Sequence, residues 1–329
     1  IGQNERVAEY AGQYNRAALL GLPGLFWQEA FRSFLGNRSV AVAPLVVTAV
    51  TSALHVVWCA YFVHVCRLGN RGAGIANSIT WNLGFLILLG YVMVTASSHG
   101  LDRRTLVGTS KSAWREWRHY LAIGVPSMLQ MCGEWWFWEI CSLVVGYLGA
   151  VPLAAHVGTI NVVGLVFMPI LGISQSAAAL VGQSVGARLW KKAFRVVTIS
   201  HCMALITMSC LAAISIIWRH ALAEAYSQDA STQATMEMLL SIYFPCIGTL
   251  DAVQNVMGGI MRGFGQQNAA FWIYIFCYYG VMLPLGCLLA FPLHLGVAGI
   301  WYAMAAGLLL ANVLYLILLY FTKRDVQCS

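Results

Sequence analysis

Charge is what this sequence has least of. Only 9% of its 329 residues are Asp, Glu, Lys or Arg, against roughly 25% in a soluble domain, which excludes an ordinary water-soluble fold. The ten cysteines include no CxxC pair and no His-rich partner segment, and most lie inside apolar runs, as Cys202, Cys210, Cys277 and Cys287 do. They read as small buried hydrophobes rather than disulfides or metal ligands. No GxxxxGK[ST] loop occurs, and the Gly-rich segment from Gly258 to Gly265 closes an apolar helix, so ATP-driven pumping by this chain is not expected. HExxH and a nucleophile elbow are also missing, so neither an enzyme nor a cofactor is expected. The opening segment, Ile1 to Arg16, is polar and lacks the short apolar core of a signal peptide. Together with the first residue, Ile1, it reads as the middle of a longer protein.

What is there is hydrophobic sequence in long blocks, 60% of the chain at a mean hydropathy of +0.72. A helical membrane span needs about 20 mostly apolar residues. Short polar clusters divide this chain into pieces of that length or more. They predict spans near 14–35, 42–66, 73–95, 120–148, 153–185, 194–218, 236–261, 269–291 and 295–321. The runs are apolar on all faces, whereas a membrane barrel needs strands of about ten residues that alternate. The expected fold is therefore an all-α integral membrane protein, multi-pass in a lipid bilayer, with about nine transmembrane helices.

The net charge of +7 does not point to nucleic acid, because its distribution follows the loops. If each span crosses the membrane, fourteen of the nineteen Lys and Arg residues fall on one side. Arg6, Arg16, Arg67, Arg71 and Arg219 fall on the other. Basic loops stay in the cytoplasm, so the chain runs from outside to inside. The sequon at Asn37-Arg38-Ser39 then faces the cytoplasm, where it would not be glycosylated. The longest polar interruption, from Ala96 to His119, separates three helices from six. Leu68-Gly69 with Ala73-Gly74-Ile75 is echoed by Leu295-Gly296 with Ala298-Gly299-Ile300, an internal repeat of the kind transporters carry.

Four acids lie well inside apolar spans: Glu29, Glu134, Glu139 and Asp251. A charged group near the bilayer centre is costly, so it faces a cavity, the bundle interior or a partner. Arg32 lies three positions after Glu29 and predicts a local ion pair. Glu134 has no basic residue within a turn or two, and such a carboxyl is cheapest to bury with its proton on; a proton-coupled carrier needs that property. Glu139 is five residues on, about 140° around the helix, so the two carboxyls do not share a face. Asp251, followed by Gln254, Asn255 and Gly258-Gly259, predicts a water-accessible lining. Trp135 and Trp136 beside an acid suit an organic cation, because indole faces attract positive charge. His156 is expected to make a hydrogen bond between helices, and for Asn161, five residues on, such a bond and a functional role both stay open.

Read in order, several segments resemble the eukaryotic branch of the multidrug and toxic compound extrusion (MATE) family across nearly the whole chain. The sharpest is Glu134-Trp135-Trp136 followed by Glu139. The others are Ala154-Ala155-His156 with Asn161, Val181-Gly182 before Gly186-Ala187, Met261 to Gln266, Tyr278-Tyr279 with Pro284, and Leu295 to Trp301. The resemblance implies a twelve-helix fold of two six-helix lobes with both termini cytoplasmic, of which this chain lacks the first three helices. Residues 1–96 would be the second half of the N-terminal lobe, 97–119 a cytoplasmic inter-lobe loop, 120–322 the C-terminal lobe and 323–329 a cytoplasmic tail. It implies a secondary antiporter that exports small organic, mostly cationic, compounds in exchange for protons or sodium ions. Such a protein is monomeric when complete, and this piece alone would be inactive. Glu134, Glu139 and Asp251 fall where the family places carboxylates for cation and substrate handling, and Trp135, Trp136, Asn161 and Tyr278 would line the cavity. Asp251 replaces a more usual Glu, Tyr274 stands where an Asn is common, and Asn161 stands where some animal members carry a Glu. A lipid-linked oligosaccharide flippase of the wider superfamily is the alternative transporter, disfavoured because the span centres lack Arg and Lys. A non-transporting membrane receptor would bind ligand without net flux.

Overall fold

The computed structural model describes residues 5–38, 40–95 and 117–328, and all the regular structure among them is helical. The chain forms two compact units, Ile1–Arg115 and Glu116–Ser329. Most of the inter-lobe loop expected at 97–119, and Ser39 of the sequon, lie outside the described residues.

The first unit contains α1 (Glu5–Ala18), α2 (Leu22–Asn37), α3 (Val42–Ala60) and α4 (Gly69–Thr95). Helix α4 is its axis and packs on the other three. Close approach comes from glycine: a Cβ on Gly24 would lie 2.7 Å from the backbone of Asn82, and one on Gly84 would run into the Gln28 side chain. Small residues allow such contacts in lipid, where burial of apolar surface no longer drives helices together. The apolar core is small, formed by Leu35, Val47, Leu88 and Val92.

The second unit contains α5 (Trp117–Gly146), α6 (Ala150–Gly186), α7 (Trp190–Ile217), α8 (Arg219–Tyr226), α9 (Ala230–Ile242), α10 (Gly248–Gly263), α11 (Gln267–Ile275), α12 (Leu283–Ala290) and α13 (Gly296–Cys328). Two π-helical segments, Tyr243–Ile247 and Phe276–Met282, join α9 to α10 and α11 to α12. Pro126 and Pro169 sit inside α5 and α6, as membrane helices tolerate. Helix α10 packs on α6, α7 and α13. A Cβ on Gly259 would collide with the Ser174 carbonyl, and one on Gly263 would lie 2.7 Å from the Ala178 carbonyl. The Ser174 hydroxyl also donates to the Asn255 carbonyl at 2.8 Å. Asp229 caps α9, its Oδ2 accepting from the Thr232 amide at 2.9 Å.

Seven stretches among the described residues are long and apolar enough to cross a membrane: Val42–Val65, Gly69–Thr95, Ala150–Gly186, Trp190–Ile217, Ala230–Gly263, Gln267–Ala290 and Gly296–Arg324. The other two expected spans are helical but differ. A 3-10 turn at Leu19–Gly21 divides the first into α1 and α2. Helix α5 is 30 residues long, about 45 Å, but carries Gln130, Glu134 and Glu139.

The backbone repeats where the sequence does. Arg67 and Gly69 before α4 have φ of 53° and 52°, and His294 and Gly296 before α13 have 55° and 58°. The Leu68 amide donates to the Phe62 carbonyl and the Leu295 amide to the Leu289 carbonyl, each at 3.1 Å. These partners keep one constant sequence interval, as do Gly72 and Gly299, which both press on the backbone of the preceding helical segment. The structural partner of Gly299 is thus Gly72, not the Gly74 that the residue pattern aligned with it. Gly74 instead meets Ala17 and the Tyr14 carbonyl of α1.

Candidate functional site

Gly133, the residue before Glu134, fixes how α5 meets α11. A Cβ there would lie 3.3 Å from the Tyr274 ring, and the Tyr279 hydroxyl donates to the Gly133 carbonyl at 2.6 Å. The next residue, Glu134, is thereby held half-buried toward α10. From α10 comes Asp251, 9% exposed, and the two carboxyls lie close enough to interact electrostatically. The Tyr243 hydroxyl, fully buried, donates to Asp251 Oδ2 at 2.8 Å. Tyr278 feels both acids; its ring stacks on Tyr274 at 4.0 Å and meets Phe137 edge-on at 5.0 Å.

One cation acts on this cluster. Gly258 leaves room where Gln130 of α5 and Arg262 of α10 approach, 3.6 Å and 3.8 Å from the position a Cβ would take. The Arg262 guanidinium interacts with the Glu134 carboxyl and the Tyr315 hydroxyl. Among the described residues no ion pair closes on either acid: the two pairs formed are Glu29 with Arg32 at 3.3 Å and Glu237 with His220 at 2.6 Å. Of the seven buried polar atoms without a hydrogen-bond partner among the described residues, three lie on the elements that form this cluster, namely Gln130 Oε1, the Tyr274 hydroxyl and Asn312 Oδ1. In a native interior such atoms mark water, an ion or a functional group awaiting a partner.

The singled-out residues thus fall in two places. Glu134, Asp251 and Tyr278 come together. Trp136 and Glu139 line a separate cavity of about 500 Å³ with Leu129, Gly133, Ile140, Phe271, Ile275 and Tyr279. Trp135 and Trp136 are 66% and 60% exposed within this unit, and Glu139 and Asn161 are also exposed. His156 makes its expected bond between helices, accepting from Trp301 Nε1 at Nδ1, 3.2 Å. An indole N–H only donates, so the imidazole proton sits on Nε2, which is buried without a partner. Tyr243 and Arg262 were not legible as site residues: Tyr243 is eight positions from the acid it serves, and Arg262 stands at a helix end where basic residues are ordinary. Cys277 is buried as expected, but Cys202 and Cys210 are exposed on the surface of α7; the nine cysteines whose side chains are described are free.

Comparison with known proteins identifies the family and fold. Residues 126–288, the stretch holding both acids, match the MatE family model. Protein DETOXIFICATION 16 of Arabidopsis thaliana is 30% identical over 332 aligned residues, covering 100% of this chain and 67% of that protein. The chain belongs to the MATE family. Multidrug and toxin extrusion protein 2 of Oryctolagus cuniculus is 28% identical across 96% of the chain and 52% of its own length, so the chain spans between about half and two thirds of these MATE relatives. The crystal structure of the eukaryotic MATE transporter AtDTX14 superposes with a TM-score of 0.89 at 22% identity, covering 99% of this chain and 73% of that one. This likeness establishes the MATE fold, and with seven apolar helices it makes the chain part of a multi-pass membrane protein.

Proposed function

We propose that the MATE protein containing this chain is a secondary antiporter that exports organic, mostly cationic, compounds in exchange for protons. The observation that supports this most is the pair Glu134 and Asp251, brought together inside the second unit without an ion pair on either among the described residues. A carboxyl in low dielectric is costly as an anion and inexpensive when protonated or paired with a cation. Two acids of this kind offer a proton and an organic cation the same place in turn, which is what antiport requires. Tyr278 and Tyr274 are stacked and buried beside the acids, so a flat cation would meet their faces only once the site opens. Trp135, Trp136, Glu139 and Asn161, exposed on the same unit, are proposed as a second acidic and aromatic surface that receives substrate. The basic loops assign Arg188, Lys191, Lys192 and Arg195 to the cytoplasmic side.

The test uses the complete protein in sealed vesicles with a fluorescent organic cation. Glu134→Gln keeps the shape of the side chain and removes its proton chemistry, so insertion should persist while efflux driven by a pH gradient is abolished. Unchanged efflux removes Glu134 from the mechanism. Imposing a sodium gradient in place of the proton gradient decides the coupling ion: efflux driven by sodium alone would overturn proton coupling.

A further inference from the structure

We propose that Tyr243 is a positioning residue for Asp251, and that their hydrogen bond is a charge-sensitive latch across the π-helical turn between α9 and α10. Tyr243 is the first residue of that turn, Tyr243–Ile247, and Asp251 lies in the first turn of α10. The 2.8 Å bond from the Tyr243 hydroxyl to Asp251 Oδ2 therefore bridges the irregular segment from end to end. A π turn gives up one hydrogen bond of regular α-helix register and is a common place for a helix to adjust at a functional site. Pro245 sits inside it, so the ordinary backbone ladder is already incomplete.

Among the described residues the Tyr243 hydroxyl has no second hydrogen-bond partner. Its ring is held edge-on by Phe244 at 5.3 Å and by Trp301 at 5.7 Å, and Trp301 is itself fixed by its bond to His156. The donor is thus set by three aromatic or imidazole rings on α6, α13 and the turn, while the acceptor rides on α10. A hydrogen bond to a carboxylate is roughly twice as strong as one between neutral groups. The latch holds tightly while Asp251 is charged and slackens once Asp251 takes a proton or pairs with a cation, so that the turn can change its geometry. This rests on Asp251 being an exchanging carboxyl, as proposed above.

The groups surrounding the latch come from every side. Glu134 of α5 interacts with Asp251 and Tyr243, and Tyr278, after α11, interacts with both acids. From α13, Tyr315 acts on Tyr278, and the Asn312 amide donates to the Leu250 carbonyl at 2.9 Å beside the acid. Arg262, at the far end of α10, acts on Glu134. From α6, His156 is separated from Tyr243 by the Trp301 ring, and α7 places Met208 against Gly248 at the start of α10.

The test compares Tyr243→Phe and Asp251→Asn in the complete protein, reconstituted in lipid, by pH-difference infrared spectroscopy and by the pH profile of organic-cation efflux. In the parent, a tyrosine ring band should change together with a carboxyl band as the pH is stepped. Tyr243→Phe should remove that tyrosine band, slow efflux without abolishing it, and displace the half-maximal point of its pH profile by roughly one unit, the difference between a charge-assisted and a neutral bond. Asp251→Asn should remove both bands. If Tyr243→Phe leaves the difference spectrum and the profile as in the parent while Asp251→Asn abolishes efflux, the latch is overturned and the antiport reading stands. If Asp251→Asn leaves efflux intact, Asp251 is not an exchanging carboxyl and the latch falls with it; the Glu134→Gln result decides antiport separately. Thermal stability of Tyr243→Phe keeps the outcomes clear: a loss of stability with an unmoved profile means Tyr243 is structural only.

Discussion

The two units use the same helical grammar and bury different chemistry. In the first, the polar side chains inside the bundle are neutral and several are paired, although Gln28 Oε1 and Trp58 Nε1 are buried without a partner. The Asn77 amide donates to the Tyr14 hydroxyl, the Ser78 hydroxyl to the Ala17 carbonyl at 2.7 Å, and His55 pairs with Thr80 at 3.0 Å. Its one acid inside an apolar run, Glu29, pairs with Arg32 on an exposed face. The second unit buries Asp251 and half-buries Glu134, with no ion pair on either among the described residues. Satisfied neutral groups hold helices in register, whereas unpaired acids leave a site that a cation or proton can fill. Under the antiport proposed above, exchange chemistry would belong to the second unit and the first would serve as scaffold.

Four tests would break or sharpen that contrast, and they run from large to small. The largest sets Glu134→Gln against Glu29→Gln in the complete protein: the first should abolish cation efflux and the second should leave it within about twofold, since an exposed helical ion pair contributes at most a few tenths of a kcal/mol. Equal losses would end the division of labour. Next, Gly259→Ala should cost roughly 2–3 kcal/mol, because a Cβ collides with the Ser174 backbone and overpacking of this kind is expensive. Gly90→Ala, with open space around it, should be neutral or slightly stabilising; thermal unfolding in detergent reads both.

A smaller effect tests the repeat. Gly69 and Gly296 share a left-handed backbone and have nothing within 4 Å of a Cβ, so Gly→Ala at either should cost only the conformational penalty, roughly 1–2 kcal/mol. Unequal costs would show that the two turns are not equivalent. The smallest concerns His220, outside the spans, whose imidazole is pushed above its ordinary range by its hydrogen bond and charge interaction with Glu237. A raised imidazole stabilises the fold fully below its unfolded value and less as the pH rises through its folded value. His220→Gln should therefore lower the melting temperature slightly on the acid side of neutrality and leave it unchanged on the alkaline side.

Membrane class, helical content and the intramembrane acids were legible because lipid imposes simple rules: long apolar runs, few charges, and a reason for each exception. Glu29 with Arg32 was readable because its partner is one turn away. The bond from Tyr243 to Asp251 was not, because an interval of eight residues means contact only once a π turn and the reach of a phenol are known. The fate of Glu139 was half-readable: helical spacing separates it from Glu134, yet only the packing of α11 beside α5 gives it a cavity with Trp136. Likewise Trp135 and Trp138 are three positions apart on one helix, but Trp138 lies 6.0 Å from Trp301 while Trp135 faces outward, a distinction made by the neighbours and not by the residue type.

The paired turns before α4 and α13 carry a practical consequence. Two copies of one backbone motif, each with a left-handed non-glycine residue two places before a left-handed glycine, make every substitution at one end a rehearsal for the other. A variant tolerated at Arg67 forecasts tolerance at His294, and a change that disables the seat of Gly72 against its neighbouring helix identifies Gly299 as the next position to vary. The chain thus contains its own internal control.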